Sequence, residues 1–217
     1  MTPEISAEKK ILRKNLIDKR EMIPAEEARG LDKEIALRLF GAGFYKEARS
    51  IFVYLSVNKE VDTELIIRKA FEDGKTVCVP RVLKTHKTQG TSLVLPANHV
   101  MEAVPIKEAD FFQRARTEWS RFFGIPEPSR DMASLDVSGI ELAIVPSLAL
   151  DLSGYRLGYG GGYYDSFIAA GRLTKNKPVF AAIQRAAFIQ KKALPRDMYD
   201  MPVDAIVTES EIIIPSF

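Results

Sequence analysis

The sequence predicts an α/β protein, one domain over residues 1–217, with a central, mostly parallel sheet covered by helices on both faces. Three observations carry that expectation. Short continuous apolar runs recur at Ile51-Phe52-Val53-Tyr54-Leu55, at Val77-Cys78-Val79, at Leu142-Ala143-Ile144-Val145 and over 179–183 and 205–208. Strands buried on both faces read this way, rather than as an apolar-polar alternation. Helical patterns separate several of these runs, as an α/β order requires. Finally, 217 residues with a hydrophobic fraction of 46% are enough for one large domain with a real core.

Taken in order, residues 6–22 read as a helix with Ser6 as candidate N-cap and Glu8 in the first turn. A second helix over 25–40 opens after Pro24 and is stopped by Gly41 and Gly43. The apolar run at 51–55 is a strand, and 63–73 is helical up to Gly74. Val77-Cys78-Val79 is a short strand ended by Pro80, and 92–95 is a third. The region 106–135 has no clear period. Its Trp119, Phe122 and Phe123 suit core packing or stacking on a heterocycle, and Gly124-Ile125-Pro126-Glu127-Pro128 is expected to be a loop. The strand over 142–145 leads into a glycine-rich segment, and 163–170 is the helix after it.

Charge and cysteine usage bound the function classes. With 31 basic and 29 acidic residues the net charge is +2, which excludes a dedicated nucleic-acid binder but permits a local basic pocket. Cys78 is the single cysteine and reads as a small buried hydrophobe; a reducing cytoplasm is the expected setting. Residues 1–5 lack the apolar core of a signal peptide, and no run reaches the roughly 20 apolar residues of a membrane helix. A protein without membrane or nucleic-acid partners is expected.

The most informative stretch is Gly154-Tyr155-Arg156-Leu157-Gly158-Tyr159-Gly160-Gly161-Gly162-Tyr163-Tyr164-Asp165. Four of the thirteen glycines fall between Gly158 and Gly162. Backbone without Cβ atoms can approach an oxyanion closely and aim several N–H groups at it, above all where a helix begins. Arg156 adds a rigid fork of donors for phosphate oxygens, and Asp165 a hard oxygen ligand for Mg2+. The segment matches neither common nucleotide fingerprint: Tyr163 stands where G-x-G-x-x-G needs its last glycine, and no Lys-Ser/Thr closes a Walker loop.

Other charged groups fall into place around it. At about 100° per residue, Lys9, Arg13 and Arg20 of the first helix share a narrow arc with Leu16. They read either as a solvated face or as donors reaching a phosphate from the edge of an interface. Asp62 or Thr63 can cap the next helix, leaving Glu60 to accept ligand N–H groups at a strand's carboxyl end. Pro80-Arg81 sets a guanidinium just after a strand. Asp197, Asp200 and Asp204 surround Tyr199 and Pro202, as turn formers or as partners of Asp165 around a metal. His86 and His99 have no metal-ligand spacing and read as surface residues. No serine elbow or Cys/His pair is present.

Together these residues resemble the 5-formyltetrahydrofolate cyclo-ligase (methenyltetrahydrofolate synthetase) family over nearly the whole chain. Arg156-Leu157-Gly158-Tyr159-Gly160-Gly161-Gly162-Tyr163-Tyr164-Asp165 is the specific signature. In the family's order come Lys9-Lys10-Ile11-Leu12-Arg13, Glu60-Val61-Asp62-Thr63, Val79-Pro80-Arg81, Gly124-Ile125-Pro126-Glu127-Pro128 and Asp200-Met201-Pro202-Val203-Asp204. The resemblance implies a carbon–nitrogen ring-forming ligase that uses ATP as co-substrate and Mg2+ as cofactor. Its substrate would be 5-formyltetrahydrofolate and its products 5,10-methenyltetrahydrofolate, ADP and phosphate. By position, Lys9, Lys10, Ile11, Leu12 and Arg13 would contact ATP, with Arg156, Leu157, Gly158, Tyr159, Gly160, Gly161, Gly162, Tyr163 and Tyr164. Arg156 would be catalytic. Leu55, Glu60, Tyr159, Gly160, Gly161, Gly162 and Tyr163 would contact the folate, and Asp165 and Asp200 would hold the metal. No obligate protein partner is implied.

The chain departs from the family pattern at Ser147, where a glycine is usual, at Ser166, where an arginine is frequent, and at Tyr199, where a histidine is common. Residues 181–190 also match it poorly. Two other readings stay open. A non-catalytic folate or nucleotide binder would keep the pocket without ATP-dependent turnover. A sugar-phosphate isomerase-like enzyme would turn over without nucleotide.

Overall fold

The computed structural model describes residues 3–84, 99–113, 120–122 and 125–216. Strands β1 (Ser50–Val53), β2 (Thr76–Lys84), β3 (His99–Ile106), β6 (Leu142–Val145), β9 (Val179–Ile183), β11 (Ala205–Val207) and β12 (Ile212–Ile213) form a seven-stranded sheet. Its order is β12-β11-β9-β6-β1-β2-β3. The inner pairs run parallel; β3 on β2 and β12 on β11 are antiparallel. A mostly parallel sheet is what the apolar runs predict, because β1 and β6 are buried at every residue.

Alternation along β1 divides the core. Ile51 and Val53 face α2 (Ala25–Gly41), α3 (Gly43–Glu47) and α4 (Glu64–Glu72), packing with Ile35, Leu39, Tyr45 and Ile66. Phe52 faces α6 (Tyr163–Arg172), its ring 4.5 Å from that of Phe167. Helices therefore cover both faces, each side chain of this kind contributing about 1.5–3 kcal/mol on burial.

A second, three-stranded sheet of β10 (Ile189–Gln190), β7 (Ala149–Asp151) and β8 (Arg156–Leu157) sits beyond the carboxyl end of β6. Helix α1 (Pro3–Glu21) lays Leu16 onto Leu148, Ala149, Leu157, Phe188 and Leu194 there. That packing carries the basic side of α1 to the glycine segment.

Several boundaries correct the sequence expectations. Helix α1 opens at Pro3, not after a Ser6 cap; proline suits a first turn, whose N–H groups have no helical partner. Gly43 opens α3 instead of ending α2. Strand β2 runs through Pro80 to Lys84. Proline is tolerated because β1 has already ended on that side. Val82, facing the same way, gives its N–H to Glu127 Oε1 at 2.8 Å. The next strand of the sheet is β3, followed by the short helix α5 (Glu108–Phe112), and the expected one over 92–95 lies outside the described residues, as do Trp119, Phe123 and His86. Ile125–Glu127 is strand β5, antiparallel to β4 (Ser120–Phe122), where a loop was expected. The strand over 142–145 reaches the glycine segment through the β7–β8 hairpin, not directly. Asp151 ties that hairpin, taking Ser153 and Tyr155 N–H on Oδ1 and Leu194 N–H on Oδ2.

Candidate active site

The site is built around the turn from β8 into α6. Gly160 has φ +101°, and a Cβ there would lie 3.3 Å from Arg13 Cζ. Gly162 has φ +70° and is the N-cap of α6. Both positions need the left-handed backbone that glycine adopts without strain. The loop thus opens α6 with a bare backbone, and Asp165 lies in the helix's first turn.

Helix α1 supplies the cations on one side. Lys9, Leu16 and Arg20 are its buried residues, as the shared arc predicts. Lys9 Nζ meets Asp200 Oδ2 at 2.5 Å, and Arg13 Nε donates to Gly158 O at 2.7 Å. Burial lowers the Arg13 pKa and the Asp200 charge opposes that shift. Lys10 and Ile11 lie on the exposed side of α1 and Leu12 packs into its apolar contact, whereas Arg13 reaches the loop and Lys9 reaches Asp200.

Arg156 is buried on β8. Its Nη2 donates to Asp165 Oδ1 at 2.7 Å and its Nη1 to Pro146 O at 3.4 Å, while Nε has no partner. An unpaired N–H on a buried guanidinium is costly unless a ligand oxygen completes it. Asp165 Oδ1 also accepts from Met201 N–H at 3.2 Å, which joins Asp165 to the residue after Asp200. The hydrogen bonds of Asp200 converge on Oδ2, from Lys9 and from Asp197 N–H at 2.7 Å. Two neighbouring carboxylates, each bonded through one oxygen, fit a Mg2+ ion that keeps water and phosphate as its other ligands. Among the described residues no cluster of three or more His, Cys, Asp or Glu forms a complete protein cage.

On the other side stands Glu60. Val57–Glu60 is a tight turn whose centre, Asn58 and Lys59, has φ +49° and +56°. It directs Glu60 inward, where Oε2 accepts from Val57 N–H at 2.9 Å. Tyr159 of the glycine loop accepts from Arg20 Nη2 at 2.7 Å, and its hydroxyl stands close enough to the Glu60 carboxylate to feel its charge. Burial raises the Glu60 pKa; the hydrogen bonds and Arg20 work against the shift. The Tyr159 hydroxyl is in turn pushed up to about 12 by burial and the Glu60 charge. Leu55 is buried in the core beneath this turn.

Several sequence candidates prove structural. Arg81 lies within β2, buried, giving Nη2 to Glu102 at 2.7 Å and Nη1 to Ser129 and Met132 carbonyls. Asp204 accepts from Phe180 N–H and pairs with Arg172. Asp62 Oδ1 takes Glu64 N–H at the start of α4, whereas the Thr63 hydroxyl donates to Tyr54 O. Cys78 is buried, its thiol pushed up to about 12. Ser147 is buried, its carbonyl accepting from Gln184 Nε2 at 2.8 Å. The meeting of Arg20, Tyr159 and Glu60 escaped the sequence reading; Arg20 sharing the Lys9 arc was its only signal.

Fold and site together define an α/β protein whose glycine-rich loop opens α6 beside a buried arginine, beyond the carboxyl end of its central sheet. The sequence model of the 5-formyltetrahydrofolate cyclo-ligase family matches residues 5–209, and the chain belongs to that family. A 5-formyltetrahydrofolate cyclo-ligase of Mus musculus is 26% identical over 210 residues, covering 94% of this chain and 95% of that protein. That of Escherichia coli K12 is 27% identical over 195 residues, covering 89% and 96%. The solved 5,10-methenyltetrahydrofolate synthetase of Aquifex aeolicus shares the fold, with a TM-score of 0.71 at 24% identity over 95% of this chain and 92% of that one. Among the described residues no helix is long and apolar enough to cross a membrane.

Proposed function

We propose that the protein cyclises 5-formyltetrahydrofolate to 5,10-methenyltetrahydrofolate with ATP and Mg2+, releasing ADP and phosphate, as one cyclo-ligase-like unit over 1–217. The observation that carries this reading is the two-sided loop. Arg13 and buried Arg156 adjoin the Gly158–Gly162 segment, Lys9 holds Asp200 nearby, and Glu60 stands by Tyr159 of the loop. Family membership supports the same reaction.

The formyl oxygen of an amide is a poor leaving group. In the proposed reaction it attacks the γ-phosphorus of ATP; the new P–O bond forms as the bond to the ADP oxygen breaks. The N10 lone pair then attacks the formyl carbon, N10 gives up its proton, and phosphate departs with the C–O electron pair as the ring closes. Such chemistry asks for positioning and charge neutralisation, not a protein nucleophile. Arg156 would hold the transferring phosphoryl group through Nε, Lys9 and Arg13 would neutralise the other phosphates, and the glycine N–H groups would complete the cradle. Asp165 and Asp200 would hold Mg2+, whose charge offsets that of the phosphates. Glu60 would accept from the N–H groups of the pterin. Reduced folate and ATP are the only partners this reading requires, and the cytoplasm is the proposed setting.

Purified protein given 5-formyltetrahydrofolate, ATP and Mg2+ should form the methenyl chromophore and ADP in equal amounts. No chromophore with saturating substrates would remove the reading. Binding of folate without turnover would select a non-catalytic binder.

A further inference from the structure

A hollow of about 170 Å3 opens between the end of α1, the start of α2 and the Val57–Glu60 turn. Arg20, Ile23, Asp32, Lys59, Glu60 and Arg185 are among its walls. It is smaller than the 300 Å3 or more that houses a whole ligand, so it suits one end of a larger molecule.

The walls differ in what they have left to offer. Asp32 and Arg185 satisfy each other with two hydrogen bonds of 2.8 Å. The Arg185 Nη groups also donate to Lys59 O and Glu60 O. Lys59 pairs with Glu21 at the rim. Arg20 is different: only 2% exposed, it spends Nη2 on Tyr159, and both Nε and Nη1 lack a partner. Glu60, 9% exposed, accepts from Val57 N–H on Oε2 and keeps acceptor capacity, since a carboxylate has about four lone-pair sites.

Among the walls of the hollow are thus a guanidinium with two unspent donors and a carboxylate with unspent acceptor capacity. An anionic ligand would complete Arg20 and oppose Glu60 at the same time. A neutral edge carrying N–H next to C=O completes both without adding charge, because Arg20 and Glu60 already balance. We infer that Arg20 is a specificity-determining residue, donating through Nε and Nη1 to the ring carbonyl of the substrate's pyrimidinone while Glu60 accepts from its adjoining N–H groups. This rests on the folate reading and adds to it a second reader of the pterin edge. Glu60 alone would accept any N–H donor; Arg20 makes the ring oxygen a requirement.

The test measures equilibrium binding of 5-formyltetrahydrofolate, of a 2-amino tetrahydropteridine lacking the ring oxygen, and of a non-hydrolysable ATP analogue. The probes are titrated separately into wild type, Arg20→Met and Arg20→Lys. Wild type should prefer the oxygen-bearing ligand at least tenfold. Arg20→Met should lose about tenfold or more for that ligand, bind the oxygen-free ligand within twofold of wild type, and leave the ATP analogue within twofold. Arg20→Lys, which keeps the charge but not the fork, should fall between. Equal weakening of both pteridines in Arg20→Met, or no preference in wild type, would overturn the inference. Failure of wild type to bind either pteridine would instead remove the folate reading beneath it. If Arg20→Met does not fold, the wild-type preference and Arg20→Lys decide.

Discussion

Among the described residues four arginines are buried, and they divide two and two. Arg81 and Arg185 give every guanidinium nitrogen an acceptor of the protein. Arg81 takes Glu102 and two carbonyls; Arg185 takes Asp32, Lys59 O and Glu60 O. Arg20 and Arg156 flank the glycine loop, and between them leave Arg20 Nε, Arg20 Nη1 and Arg156 Nε without partners. The first pair ties segments distant in sequence. The second holds donors in reserve where a ligand would enter. Leaving a buried charge half-paired costs stability, so the difference sets the proposed ligand site apart from the purely structural pair.

Breaking the saturated pair should give the largest effect on stability. Asp32→Ala strands Arg185 in the core, at a cost of about 3–5 kcal/mol. That corresponds to a fall of roughly 10 °C in Tm for a chain of this size, read by thermal unfolding. A fall of only a degree or two would deny Arg185 its structural role.

Arg156→Ala should leave Tm within a few degrees yet cut kcat about 10²–10³-fold, by analogy with loss of one preorganised donor. Wild-type rates in that variant would refute the assignment, and a large loss of Tm would move Arg156 into the structural pair.

Glu60→Gln should raise the KM for the folate roughly tenfold or more, with the KM for ATP little changed; equal loss of both would argue against a folate-facing role. The same variant carries a pH signature. Burial holds the Glu60 pKa above its ordinary 4.5. Between that value and the raised one, the folded chain binds more protons than the unfolded chain, so this group's contribution to stability declines as pH rises. Folate binding moves oppositely, because it needs the ionised carboxylate. The folate KM should climb on acidification through the raised pKa in wild type and stay flat in Glu60→Gln.

The smallest effect is expected from Asp165→Asn, which keeps an oxygen ligand but loses its charge. The Mg2+ concentration for half-maximal activity should rise about fivefold, roughly 1 kcal/mol. An unchanged titration would separate Asp165 from the metal and leave it as the partner of Arg156.

Much of this was readable residue by residue. The strands at 142–145 and 179–183 have the expected bounds, since central parallel strands are apolar throughout. The glycine signature foretold a bare backbone opening α6, and the helical arc foretold that Lys9 and Arg20 turn inward beside Leu16. Strands β3 and β5 were not readable: their prolines and polar residues are tolerated only because of what lies beside them in the sheet. The Arg185–Asp32 pair spans 153 positions, and no local pattern links its ends. Arg81 follows an apolar run and read as a guanidinium just beyond a strand, whereas the structure places it within β2 with every nitrogen paired.

Local chemistry, fixed by residue type and spacing, determined the order of helices and strands and the presence of a bare, anion-seeking backbone beside Arg156 and Asp165. Only the packing of α1 on the small sheet decided that Arg20 meets Tyr159 and Glu60, and which guanidiniums keep unspent donors. Hydrogen-bond capacity belongs to the side chain, but whether it is used depends on neighbours that the chain brings together only when it folds.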